Sequence, residues 1–91
     1  MPLPCILIPA FMPDTRMISL IEQLKVHGFS DILVVNDGSG PAFDPVFAQA
    51  AATGCTVLEH AVNMGKGRAL KTGFNYGLLH HLMDAGAITV D

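Results

Sequence analysis

Charge is scarce in this 91-residue chain: Asp, Glu, Lys and Arg make up 14% of it, against about 25% in an ordinary soluble domain. The five Lys and Arg residues are scattered and the net charge is −3, so the electrostatic footprint of a nucleic-acid binder is missing. Tryptophan is absent and there are two cysteines, Cys5 and Cys55, without CxxC spacing or a secretory leader before them. That excludes a disulfide scaffold and predicts free buried thiols in a cytoplasmic protein. No apolar run reaches the roughly 18 to 20 residues of a membrane span, because Pro9, Pro13 or polar residues interrupt the candidates. Any membrane attachment is expected outside this chain.

What the chain has instead is apolar mass: 51% of its residues are hydrophobic, and the mean hydropathy is +0.46. A chain of this length hides only roughly 60 to 65% of its unfolded surface. Large uncovered apolar patches mark interaction sites, so a homo-oligomer or a covering second half is expected.

Cys5-Ile6-Leu7-Ile8 is continuously apolar, as a strand buried on both faces is, and Pro9 is expected to end it. Asp14 offers a helix cap, Met17, Leu20, Ile21 and Leu24 form one helical face, and Gly28 stops the helix. Ile32-Leu33-Val34-Val35 repeats the buried-strand pattern, and Asn36 to Pro41 supplies turn chemistry after it. A second helix should present Phe43, Val46, Phe47, Ala50 and Ala51, with Pro45 in its first turn and Gly54 as its stop. Thr56-Val57-Leu58 is a third strand. A third helix opens at Asn63 to Gly67 and carries Ala69, Leu70, Gly73, Phe74, Gly77 and Leu78. Two glycines one turn apart predict an unusually close approach of that helix to the sheet. Ala87-Ile88-Thr89-Val90 begins a fourth strand.

Strands alternating with helices through short connections give an α/β fold with a parallel sheet. Ligands gather at the carboxyl ends of such strands, here Pro9 to Asp14, Asn36 to Gly40, Glu59 to Lys66, and Asp91. Asp37 follows a buried strand, where its carboxylate can accept from a nucleobase or ribose or simply serve a turn. Asn63-Met64-Gly65-Lys66-Gly67-Arg68 sits where free N–H groups and the helix dipole favour an anion. Cations there are mildly unfavourable, which argues for a phosphate offsetting them. The stretch is not a Walker A loop, since Gly67 follows Lys66 and the upstream glycine is missing. Asp91 suits a ribose hydroxyl or a metal's ligand shell, although one carboxylate holds a hard divalent cation weakly. The four histidines, His27, His60, His80 and His81, lack metal-site spacing, and His27, His80 and His81 read as late-helix residues suited to the dipole.

Four pieces in register resemble the inverting GT-A glycosyltransferases of family 2, especially the dolichyl-phosphate mannose synthase-like branch. They are Ile6-Leu7-Ile8-Pro9-Ala10-Phe11, Val34-Val35-Asn36-Asp37-Gly38-Ser39, Asn63-Met64-Gly65-Lys66-Gly67-Arg68-Ala69-Leu70 with Gly73, and Ile88-Thr89-Val90-Asp91. The resemblance implies a three-layer Rossmann-like fold with about three helices and strand order 3-2-1-4. Residues 1–91 would then be the nucleotide-sugar-binding N-terminal part of a longer domain. It implies a UDP- or GDP-sugar donor, with Pro9, Ala10 and Phe11 lining the base and ribose pocket. Phe11 stands where the family usually has Tyr.

By the same resemblance Asp37 binds base or ribose, Gly38 and Ser39 shape the loop, Asn63, Gly65 and Lys66 border the nucleotide, and Asp91 is the first acid of the Asp-x-Asp motif. Asp91 would then be the one metal-associated residue here, Mg²⁺ or Mn²⁺ being expected of the full-length enzyme and weak or absent in this piece. No catalytic residue is assigned, because the acceptor-activating base and the second acid would lie beyond residue 91. The alternatives are a Rossmann dinucleotide-binding domain of an oxidoreductase, which lacks support from any Gly-x-Gly-x-x-Gly turn after strand one, and a non-catalytic α/β interaction module.

Overall fold

The computed structural model describes residues 2–91, and the chain order is β1 (Cys5–Ala10), α1 (Arg16–Val26), β2 (Ile32–Asp37), α2 (Asp44–Ala52), β3 (Thr56–His60), α3 (Lys66–Leu79) and β4 (Ala87–Thr89). A single 3₁₀ turn, Pro41–Phe43, leads into α2. The four strands form one parallel sheet in the order β3-β2-β1-β4. The α/β class, the strand order and the three helices expected from the sequence are all present.

Side-chain alternation along β1 and β2 explains why their sequences read as unbroken apolar runs. Ile6, Ile8, Ala10, Ile32 and Val34 pack on one face with Met17, Ile18 and Ile21 of α1 and Phe47 and Ala50 of α2. Cys5, Leu7, Leu33 and Val35 pack on the other with Ala69 of α3 and with Met83. Both faces are covered, giving three layers and no polar side to alternate with. Cys5 and Cys55 are free and buried, and burial, with the Asp31 charge behind it, pushes the Cys5 thiol above its ordinary pKa.

Four details differ from the sequence reading. First, β1 runs through Pro9 to Ala10, with Pro9 in register with Val35. The Ile6 N–H donates to Asp31 on the β2 side and the Cys5 N–H to Gly86 on the β4 side. Alternation therefore puts the missing N–H of Pro9 on the β4 side, past the three residues that β4 pairs. Proline is tolerated where no ladder bond is owed.

Second, Ala51 is exposed, and the buried face of α2 is Phe47 and Ala50 with Phe43 and Val46 half-buried. Third, on α3 Phe74 and Leu78 are exposed, and the packed face is Ala69, Gly73 and Gly77. Fourth, only one of its two glycines lets the helix approach the sheet. A Cβ on Gly73 would overlap the Leu7 side chain of β1, whereas one on Gly77 would overlap Met83 in the connection to β4.

Leu7 is fully buried and has no free direction in which to yield. Gly73→Ala should therefore destabilise the chain by about 1–3 kcal/mol through overpacking, although alanine is the better helix former by about 1 kcal/mol. Gly67, in the same helix, faces open space. Gly67→Ala should leave stability unchanged or raise it by up to about 1 kcal/mol. Urea unfolding of the pair checks this, and equal signs for the two substitutions would contradict the close-approach account.

Candidate functional site

At the carboxyl edge of the sheet, four separate segments enclose a cavity of about 460 Å³. The end of β1 contributes Pro9, Ala10 and Phe11, and the end of β2 contributes Asp37. The β3–α3 connection and the start of α3 contribute Asn63, Lys66 and Ala69, and Asp91 follows β4. Seven of the nine sequence-derived site residues thus meet at one cavity, and the other two, Gly38 and Gly65, support its walls. On the α1 side a second cavity of about 370 Å³ shares Pro9, Ala10, Phe11 and Asp91 with the first.

Asp37 is the buried polar group of the cavity lining. It closes β2 as its last residue, in register with His60 of β3, and is only 3% exposed. Its Oδ1 accepts from His60 Nδ1 and from the Met64 backbone N–H, both at 2.8 Å. The Asn63 amide reaches Oδ2 and the Asp37 carbonyl at 3.3 Å each. His60 Nε2 lies 2.8 Å from Thr72 Oγ1 on α3, so when Nδ1 carries the proton the Thr72 hydroxyl donates to Nε2. Burial pushes the Asp37 carboxyl up, but the bonds from His60, Met64 and Gly65 outweigh it and hold the group below its ordinary value.

His60 is the residue that sequence reasoning missed. Its partner lies 23 positions earlier and its second contact 12 positions later. The available signal was register: parallel pairing of β2 with β3 sets position 60 opposite position 37. His27 and His80 do follow the ends of α1 and α3, as late-helix residues should.

Gly38 makes the junction possible. With φ of +66° it turns the chain out of β2, and a Cβ there would collide with the Val62–Asn63 backbone. Ser39 binds the next wall: its Oγ accepts from the Met12 N–H at 2.9 Å, and its own N–H donates to Asn36 Oδ1 at 3.1 Å. Met12 has φ of +52°, an uncommon backbone state for a side-chain-bearing residue, and it directly follows Phe11. Phe11 is left 52% exposed, and among the described residues no aromatic ring packs against it.

Gly65 precedes α3, whose first-turn N–H groups lack intrahelical acceptors and carry the positive end of the dipole. Lys66 adds its charge and pairs with Asp91 Oδ2 at 2.6 Å, both side chains being largely exposed. A solvated pair of this kind contributes little stability. Arg68 is exposed and does not line the cavity. Among the described residues no three His, Cys, Asp or Glu side chains cluster as metal ligands, and Asp91 already carries a cation. The donor set of this chain alone does not fit a divalent ion.

Because Asp37 is held below 3.8, the stability it supplies is complete above that pH and is lost as pH falls through the lower, folded value. Asp37→Asn should cost about 1–3 kcal/mol at neutral pH, since buried donors lose a charged acceptor. It should also flatten the acid limb of the stability curve below pH 3.8 relative to the parent chain. Urea unfolding across pH 2.5 to 7 reads both, and an unchanged acid limb would show that Asp37 is not the titrating group.

No family model matches the chain, and no solved structure matches it. An uncharacterized protein of Methanocaldococcus jannaschii is 35% identical to it over 75 residues. That match covers 82% of this chain but 30% of the relative, so the chain spans about a third of the protein it resembles.

Proposed function

We propose that the cavity binds the nucleoside diphosphate part of a UDP- or GDP-sugar, as the donor half of a family 2 inverting glycosyltransferase. One observation carries the reading. An exposed aromatic face, a carboxylate acceptor and a cation at a helix N-terminus, brought together from distant parts of the chain, line one cavity. They match the three parts of a nucleoside diphosphate: a base to stack on Phe11, N–H or hydroxyl donors for Asp37 and Asp91, and phosphates for Lys66 and the first turn of α3. No Gly-rich turn follows β1, which counts against the dinucleotide alternative.

In the full enzyme this half holds and orients the donor while an acceptor is activated elsewhere. A divalent ion would there stabilise the departing diphosphate. The residues of this chain contribute stacking, base or ribose contacts and phosphate charge. Sugar transfer by this chain alone is not part of the proposal.

Calorimetric titration with UDP, GDP and NAD, with and without Mn²⁺, tests the reading. Binding of a nucleoside diphosphate should weaken roughly tenfold in Lys66→Met, the loss of one charge-assisted phosphate contact, and Phe11→Ala should weaken it independently. NAD binding in preference to both nucleotides would favour a dehydrogenase, and silence from all ligands would leave the interaction-module alternative standing.

Self-association belongs to the same proposal. β4 is a three-residue edge with Ile88 43% exposed, and Leu78 and Leu79 of α3 are 66% and 69% exposed. Light scattering should find a dimer or larger species, and a monomer at high protein concentration would contradict it.

A further inference from the structure

Two carboxylates line the cavity, and they are compensated differently. Asp37 is 3% exposed and is satisfied by donors of the protein, from His60, Asn63 and the Met64 and Gly65 N–H groups. Among the described residues Asp91 has one partner, Lys66, whose Nζ lies 2.6 Å from its Oδ2. Lys66 is also the one cation among the residues that line the cavity. Asp91 is therefore bonded to the only positive side chain that the lining offers an anion.

Backbone contacts bring the two groups together. Val90, the residue before Asp91, donates its N–H to the Leu7 carbonyl at 2.9 Å, which carries the chain along β1 past the end of β4. Lys66 opens α3, two residues after the Met64 N–H that Asp37 binds. The pair thus joins positions 25 apart in sequence. Its side chains are in water, Lys66 61% and Asp91 68% exposed, so the contact adds little to stability and can exchange.

An anion entering this cavity meets one positive side chain against two negative ones. The ammonium of Lys66 has three donors and can touch a phosphate oxygen while still bonded to Asp91. Its charge is then already offset by that carboxylate, and the carboxylate repels the incoming phosphate. If instead the pair opens, its attraction is lost. By either route Asp91 lowers the affinity for an anion at Lys66.

Resting on the nucleotide-binding reading above, we infer that Asp91 is an autoinhibitory counter-ion: in the empty site it occupies Lys66, and it holds down the affinity for the diphosphate, which has to displace or outweigh it. Removal of such a competitor tightens binding. Removal of a ligand contact, or of a group that steers Lys66 towards the phosphates, weakens it.

Asp91→Asn tests the inference, because it keeps the size of the side chain and an acceptor for a hydroxyl while removing the charge. Both partners are exposed, so the variant should fold as the parent does. Calorimetric titrations in EDTA compare the two chains with UDP and GDP and with uridine and guanosine. The diphosphate should bind Asp91→Asn about two- to fivefold more tightly than it binds the parent, the size of an exposed ion pair. The nucleosides, which bring no phosphate to Lys66, should show no gain. Adding Asp91→Asn to Lys66→Met should also give no gain, since no ammonium is left to compete for. Equal or weaker diphosphate binding by Asp91→Asn would overturn the inference and leave the nucleotide reading to stand on the affinity of the parent. A gain of the same size in the Lys66→Met background would overturn it too, by showing plain repulsion from a free carboxylate. A diphosphate that binds Asp91→Asn but escapes detection with the parent would support it. Silence from both chains with every ligand would remove the reading of the cavity and the inference together.

Discussion

A buried carboxylate at the end of a central strand has to be satisfied, and in this protein that requirement organises the carboxyl edge of the sheet. Asp37 is taken out of water by the pairing of β2 with β3 and the chain crossing above it. An ionised group so placed is tolerable only with several donors at short range. His60, Met64 and Asn63 supply them, the first from the end of β3 and the other two from the connection to α3. The start of α3 is therefore fixed by Asp37 rather than by the loop's own preferences. Lys66, the cation of the cavity, is placed two residues beyond a backbone N–H that Asp37 holds.

Packing fixes the same helix from its other end. The absence of a side chain at Gly73 brings the α3 backbone against Leu7 of β1, and Ala69 is fully buried one turn earlier. Thr72 stands beside that contact, so its hydroxyl meets the His60 ring at a distance set by sheet and helix packing. The polar chain from Thr72 through His60 to Asp37 is consequently stiff: its two ends belong to elements that cannot move independently. No buried side-chain polar atom among the described residues lacks a partner, as expected where a low-dielectric network is complete.

The elements were legible in the sequence because their signals are local. Ile32 to Val35 has to be a strand covered on both faces, and alternation between the two cores bears that out. The four loops also collected the residues that line the cavity, because parallel topology sends every strand end to the same edge. What was not legible depends on register and neighbours. Pro9 continues β1 because β4 is short, a property of another strand. His60 looked like an isolated histidine because its partners come from β2 and α3. Gly77 resembled Gly73 in spacing, yet what each meets is decided by the chain after α3. Asp37 could be read from sequence either as a turn residue or as a ligand acceptor, and the geometry shows that its carboxylate secures the β3–α3 connection through His60, Asn63 and Met64.

Three of the local rules that this chain breaks are broken at or beside the cavity. Met12 adopts a positive φ held by Ser39, Phe11 leaves an aromatic face in water, and Lys66 opens a helix where the dipole disfavours a cation. His81, with φ of +58°, and the exposed apolar side chains of Val26, Leu78 and Leu79 are departures that lie away from the cavity. The Lys66 conflict is partly relieved by Asp91, which supplies the negative charge that the start of α3 favours. Since both partners are exposed, that relief is weak and exchangeable. A phosphate at the same place would carry more charge than a carboxylate and would also engage the N–H groups of the first turn. It would take Lys66 from Asp91 and leave that carboxylate free to accept from a hydroxyl. Under the proposed nucleotide reading, the exposed Lys66–Asp91 pair is the contact that a ligand phosphate displaces.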